Sequence, residues 1–158
     1  MLSAQSLKKI DTAVAKYPAD QKQSAVMAAL ALAQEEKGHL STDVMDFVAG
    51  YLGMAPVAVY EVATFYGMYD LAPVGTHKLC VCTNLPCALS GAVQAAEHLK
   101  KKLGIDWNQT TPDGRITLKQ GECFGACGDA PVLLVNNKKM ASFMTPEAID
   151  RLLAELQK

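Results

Sequence analysis

The chain has 158 residues, half of them apolar, which is enough to bury the core of one domain or of a small domain with an appendage. Its 15 basic and 16 acidic side chains give a formal net charge of −1, which argues against a basic face for nucleic acid. The longest apolar run, near residues 26–33, is too short to span a membrane, and the N-terminus lacks the apolar stretch of a signal peptide. We therefore expect a reducing, cytoplasmic compartment.

Residues 1–72 predict an N-terminal helical bundle, which packs on itself or docks against a partner. Apolar residues recur there at helical spacing, and turn and capping residues divide the segment into four helices. The expected boundaries are Pro18 for the end of the first helix, Asp20 and Gly38 for the second, Ser41 and Gly53 for the third, and Pro56 and about Tyr66 for the fourth.

Residues 73–158 predict a second domain that begins after a turn-rich linker. The expected elements are a strand over 77–82, a helix over about 88–103, a strand over 115–119, a glycine-rich loop over 121–128, strands over 131–135 and 139–143, and a helix capped by Thr145. This order is a βαβ unit followed by a ββα unit, the layout of the thioredoxin core, with the glycine-rich loop in place of its second helix. The predicted fold class is therefore α+β.

All five cysteines lie between residues 80 and 127, and the first 79 residues contain none. Disulfides are rare in reducing compartments, where grouped cysteines more often bind a metal or perform redox chemistry. Four of the five form two pairs: four residues lie between Cys82 and Cys87, and three lie between Cys123 and Cys127. The ends of parallel strands meet at one edge of a sheet, so the two pairs are expected to lie close together.

Spacing favours an iron–sulfur cluster over zinc at this site. Structural zinc sites prefer short C-x2-C pairs, whereas C-x4-C also occurs in plant-type [2Fe–2S] proteins. The glycines at 121, 125 and 128 would let backbone N–H groups approach the sulfur atoms. We also expect a helix that starts just after Cys87 to turn its positive end toward the cluster. Zinc and unligated thiols stay open as alternatives.

Other redox and binding chemistries fit less well. The C-x-x-C motif of thioredoxin-type dithiols and the Gly-rich nucleotide motifs do not occur. The histidines at 39, 77 and 98 are not placed to serve as Rieske ligands. Cys80 lies two residues before Cys82 and on the same strand face, where it is either a spare ligand or a buried apolar side chain.

Three segments carry a resemblance to a known family. Residues 62–69 (VATFYGMY), 82–92 (CTNLPCALSGA) and 121–132 (GECFGACGDAPV) resemble the thioredoxin-like [2Fe–2S] subunits of NADH:quinone oxidoreductases, the bacterial respiratory complex I. The similarity runs from about Tyr17 to the C-terminus and implies that Cys82, Cys87, Cys123 and Cys127 hold one [2Fe–2S] cluster. Related subunits of NAD-linked hydrogenases and formate dehydrogenases share these motifs.

The resemblance also implies a partner. NADH gives up two electrons as a hydride, whereas a [2Fe–2S] centre accepts one, and a flavin normally converts between them. The implied partner is a flavoprotein subunit that binds FMN and NADH, within the peripheral arm of a complex on the cytoplasmic side of the inner membrane. The implied activity is that of an NADH dehydrogenase subunit which is inactive alone. The alternatives are a hydrogenase or formate dehydrogenase subunit and, more remotely, a zinc-stabilised interaction module.

Overall fold

A computed structural model describes residues 1–156. Their contacts divide the chain into two compact units, one over Met1–Pro73 and one from Val74 onward. The first unit contains helices alone among its regular elements, and the second contains a five-stranded sheet with three α-helices. The predicted α+β class, with a helical bundle preceding a thioredoxin-like domain, is confirmed. No helix among the described residues is long and apolar enough to span a membrane.

The first unit has four α-helices that end close to their predicted boundaries. They are α1 (Ala4–Val14), α2 (Val26–Lys37), α3 (Thr42–Leu52) and α4 (Pro56–Phe65). Gly38 and Gly53 follow α2 and α3 in left-handed conformations, with φ of 81° and 68°, as expected for C-terminal caps. The core between the helices is apolar and includes Ile10, Leu30, Val48 and Val59, each at most 1% exposed.

The predicted start of the second helix is wrong. Asp20 does not cap α2, because the chain first forms a turn and then a short 3₁₀ helix over Lys22–Ala25. The N–H of Gln21 donates to the carbonyl of Pro18 and that of Ser24 to the carbonyl of Gln21, so the i→i+3 pattern precedes the α-helix.

The second unit has a mixed sheet of β1 (His77–Cys82), β2 (Gln109–Thr110), β3 (Ile116–Gly121), β4 (Leu133–Val135) and β5 (Lys139–Ala141). The strand order is β2-β3-β1-β4-β5. β1 pairs in parallel with β3, and the other neighbouring strands pair antiparallel. Asn136 and Asn137 have φ of 54° and 57°, as a tight turn between β4 and β5 requires.

The segment after β1 contains two helices where one was predicted. They are α5 (Leu85–Leu89) and α6 (Ala92–Leu103), and the chain later forms α7 (Pro146–Leu156). Gly91 separates α5 from α6 with φ of 100°, a conformation that interrupts a right-handed helix. Cys87 therefore lies inside the short helix α5 and not ahead of a long one.

The two faces of β1 have different roles. Leu79 and Val81 point to one face, where they share an apolar core with residues of β3, α6 and α7, among them Leu99. Alternate residues of a strand point to opposite faces, so Cys80 and Cys82 belong to the other face. The core thus fixes the strand that carries the first cysteine of the candidate site.

Candidate metal centre

The two predicted cysteine segments leave the sheet side by side. In the parallel pairing of β1 with β3, Cys82 lies opposite Gly121, the last residue of β3. The N–H of Thr83 donates to the carbonyl of Gly121 at 3.0 Å and continues this pairing beyond the strand end. The sequence prediction that both strands end at one edge is confirmed.

The first pair of cysteines is buried. Cys82 and Cys87 are each 2% exposed, and with Ala92 and Val132 they form a small apolar group, here called the Cys82 group. The Cys82 backbone is held by its N–H, which donates to the Val132 carbonyl at 3.1 Å. The side chain of Cys87, on α5, is within hydrogen-bonding reach of the Cys82 side chain.

The surroundings of Cys87 favour the neutral form of its thiol. Burial raises the pKa of the Cys87 thiol, and a side-chain hydrogen bond with Cys82 adds to the increase. The backbone N–H of Val132 acts in the opposite direction by donating to the sulfur, and nearby charge on Cys82 and Cys127 raises the pKa further. A Cys87 thiolate would therefore be favoured by a cation beside it, as in a metal–thiolate bond.

The second pair of cysteines is exposed. Cys123 lies in the loop after β3, and Cys127 opens a 3₁₀ turn over Cys127–Asp129. The N–H of Gly125 donates to the Cys123 sulfur at 3.3 Å, and Gly125 has φ of 74°. A backbone N–H that approaches a cysteine sulfur is what the sequence predicted for the glycines of this loop. The hydrogen bond helps to orient the Cys123 sulfur.

The loop is connected to the segment that precedes α7. The N–H of Phe143 donates to the Asp129 carbonyl at 2.8 Å, and the Ser142 hydroxyl donates to the Asp129 carboxylate at 3.0 Å. Phe143 has φ of 53°, an unusual conformation for a bulky residue. These bonds hold the Cys127 turn at the edge of the sheet.

Gly121 has a role that the sequence did not predict. A Cβ atom placed on Gly121 would lie 2.5 Å from Cζ of Phe124 and 2.7 Å from Sγ of Cys80, so only glycine fits there without movement. Phe124 also packs against the Cys82 group. Sequence reasoning missed Phe124, although an aromatic residue between two cysteines of a glycine-rich loop was a usable signal for a ring that packs beside them.

Backbone N–H groups are directed at one sulfur of each cysteine pair. The N–H of Val132 donates to the Cys87 sulfur, and the N–H of Gly125 donates to the Cys123 sulfur. Hydrogen bonds of this kind to cysteine sulfurs are a feature of iron–sulfur sites. In residues 1–156, no three His, Cys, Asp or Glu side chains are gathered so that they could hold a single metal ion, and no disulfide links the cysteines. His98 lies elsewhere, where its Nε2 is 2.8 Å from the Asp150 carboxylate between α6 and α7.

This fold and this arrangement of cysteines define an iron–sulfur protein built on a thioredoxin-like sheet. The chain belongs to the family of thioredoxin-like [2Fe–2S] ferredoxins, whose sequence profile matches residues 10–157. The resemblance inferred from the sequence motifs is thereby confirmed.

Three known proteins are similar to this chain over most of its length. An NADH-quinone oxidoreductase subunit of Rhizobium meliloti (strain 1021) is 45% identical over 128 residues, which are 81% of this chain and 75% of that protein. Another, from Rickettsia typhi (strain ATCC VR-144 / Wilmington), is 42% identical over 130 residues, 80% of this chain and 75% of that one. The mitochondrial NADH dehydrogenase [ubiquinone] flavoprotein 2 of Dictyostelium discoideum is 41% identical over 134 residues, which are 84% of this chain but only 54% of that protein.

The fold is also found in a solved structure. A crystal structure of an NAD⁺-reducing [NiFe]-hydrogenase in the air-oxidised state superimposes with a TM-score of 0.73 over 89% of this chain, at 20% sequence identity. The match covers 24% of the hydrogenase chain. At this level of identity the likeness establishes the shared fold.

Proposed function

We propose that this chain is the [2Fe–2S] electron-transfer subunit of an NADH:quinone oxidoreductase. The observation that supports this most strongly is the parallel pairing that sets Cys82 opposite Gly121, where the loop with Cys123 and Cys127 begins, in a member of a [2Fe–2S] ferredoxin family. Relatives at 41–45% identity carry the names of NADH-quinone oxidoreductase or NADH dehydrogenase subunits, which supports this choice of complex.

The proposed ligands are Cys82 and Cys87 from the buried pair and Cys123 and Cys127 from the exposed pair. A four-thiolate [2Fe–2S] cluster supplies reversible one-electron transfer. The chain's own residues would hold the cluster in place: β1 and α5 fix the buried pair, and backbone N–H groups donate to a sulfur atom of each pair. The exposed pair leaves one side of the site open to a redox partner.

The proposed partner is a flavoprotein subunit that carries FMN and binds NADH. A one-electron centre cannot accept a hydride by itself, so a flavin is needed between NADH and the cluster. The complex would also contain other peripheral-arm subunits, on the cytoplasmic side of the inner membrane. The chain alone is then inactive toward NADH, and the first unit offers additional helical surface for assembly.

Metal and sulfide analysis tests this function directly. The full chain, purified without oxygen, should be brown and contain about two iron and two acid-labile sulfide per chain. Reduction with dithionite should give the EPR signal of a one-electron-reduced [2Fe–2S] centre. Stoichiometric zinc without sulfide would instead identify the zinc-stabilised interaction module.

A second candidate is the same module in an NAD-linked hydrogenase, and its basis is the fold shared with the NAD⁺-reducing [NiFe]-hydrogenase. A formate dehydrogenase subunit is a further variant of this alternative. Copurification from the native host distinguishes them, because the hydrogenase would bring nickel and the formate dehydrogenase molybdenum. Quinone-dependent NADH oxidation by the copurified complex would support the first proposal.

A further inference from the structure

Phe124 stands between Cys123 and Gly125 in the exposed loop, yet its ring turns back to the end of the sheet. The ring occupies the space that the missing side chain of Gly121 leaves open, since a Cβ there would be 2.5 Å from Cζ and 3.0 Å from Cε1 of the ring. Cys80 approaches the same space from β1, with its sulfur 2.7 Å from that Cβ position. The lack of a side chain at Gly121 thus leaves the space that the Phe124 ring fills.

The ring also joins the exposed pair of cysteines to the buried pair. It packs against the Cys82 group, which includes both Cys82 and Cys87, while its backbone is bonded directly to Cys123. The ring is half-buried and covers part of the Cys82 group. Burial of the ring is also favourable in itself, so it holds the loop closed over the sheet end.

We propose that Phe124 is a positioning residue that seats the Cys123 loop on Gly121 and keeps water from the proposed cluster, and so lowers its reduction potential. This inference rests on the proposed function. Reduction adds negative charge to a centre already surrounded by thiolates, and apolar surroundings disfavour the more highly charged state. Removing the ring admits water, which stabilises the reduced state and raises the potential.

The test is an EPR-monitored redox titration of the full chain with its cluster. Phe124→Ala should favour reduction about tenfold, which is a rise of about 59 mV in the midpoint potential for one electron. Phe124→Leu, which keeps an apolar side chain, should shift it much less. Leu89→Ala is the matched control, because Leu89 follows Cys87 by two residues but is 80% exposed, and its midpoint should not move.

Two further variants test the contact between the Phe124 ring and Gly121. Gly121→Ala forces the ring outward and should also raise the potential. In a Phe124→Ala background the same methyl group meets no ring, so its added shift should be smaller. The close approach of Cys80 is common to both backgrounds and cancels in this comparison.

The possible results distinguish a positioning role for Phe124 from a merely structural one. Loss of the cluster from Phe124→Ala, with an intact far-UV spectrum and a normal Leu89→Ala control, supports the seating role, and the potential is then tested with Phe124→Leu and Gly121→Ala. A lower melting temperature with an unchanged midpoint in every variant overturns the inference, since the ring would be merely structural. A wild-type chain without iron contradicts the proposed function and the inference together, whereas a normal wild-type centre that is insensitive to Phe124 contradicts the inference alone.

Discussion

Cys82 lies directly opposite Gly121 in the parallel pairing of β1 with β3. The loop that contains Cys123 therefore begins next to Cys82, although 40 residues lie between these two cysteines in the chain. This one pairing brings the two halves of the candidate site to a common edge. It also means that substitutions on either strand end should affect the same cluster.

Single Cys→Ser changes should divide the five cysteines into two classes. Serine at position 82, 87, 123 or 127 should bleach the visible absorption or lower the iron content severely, because a thiolate ligand is lost. Cys80→Ser should leave the absorption and EPR spectra nearly intact, since Cys80 lies outside both pairs and points toward Gly121. Iron loss from Cys80→Ser together with iron retention in Cys82→Ser would show that the ligands are assigned wrongly.

The loop around Cys123 depends on one left-handed glycine. Gly125→Ala should release iron to a chelator faster than wild type and destabilise the loop by about 1–2 kcal/mol, because a Cβ is strained at φ of 74°. Gly128→Ala is the control: its Cβ would meet no heavy atom within 4 Å, and its φ is not positive. Equal release rates for the two variants would refute this account of the loop.

The stability of the sheet that carries Cys82 should depend on the apolar core packed against it. Leu99→Ala should lower the free energy of unfolding by about 2–5 kcal/mol, because Leu99 of α6 is fully buried and its truncation leaves a cavity. Val93→Ala on the same helix is the control, since Val93 is 58% exposed and should change stability by less than about 1 kcal/mol. Urea unfolding of both variants measures the difference, and similar losses would contradict the assigned core.

The hydrogen bonds of Glu36 should make the stability of the first unit depend on pH in the acidic range. Hydrogen bonds from the Ser6 hydroxyl and from the N–H and hydroxyl of Ser3 lower the pKa of Glu36 from 4.5 to about 2. The stabilisation is therefore fully present above about pH 4.5 and is lost as the pH falls through about 2.

Glu36→Gln should accordingly lower the melting temperature near neutral pH, and the difference from wild type should shrink between pH 4.5 and pH 2. Glu61→Gln, which removes an exposed carboxylate from the same unit, is the control for the loss of one negative charge. A melting-temperature difference that stays constant across this range would contradict the role of the Glu36 hydrogen bonds.

The isolated chain should not oxidise NADH. NADH with ferricyanide as acceptor should react only when the coexpressed flavoprotein subunit is present, because hydride transfer needs the flavin. A Cys87→Ser complex would show whether the cluster itself contributes to the measured rate. Rapid NADH oxidation by the flavin-free chain would defeat the partnership proposal.

Much of the fold could be predicted because its signals are local. Gly38 and Gly53 end α2 and α3 by adopting left-handed conformations, and Pro56 opens α4. The predicted helix starts at Asp20 and at about residue 88 were wrong, since a 3₁₀ turn and the break at Gly91 depend on which neighbouring groups complete the hydrogen bonds.

Residue identities and the order of strands and helices were enough to establish the two cysteine pairs, their spacing and their place after β1 and β3. The three-dimensional packing was needed to show that the pair at 82 and 87 is buried while the pair at 123 and 127 is exposed, and that Phe124 rests on Gly121. The short strand β2 and its antiparallel pairing with β3 also became visible only in the folded chain. Burial and packing depend on contacts between residues far apart in the chain, which no local pattern of side chains specifies.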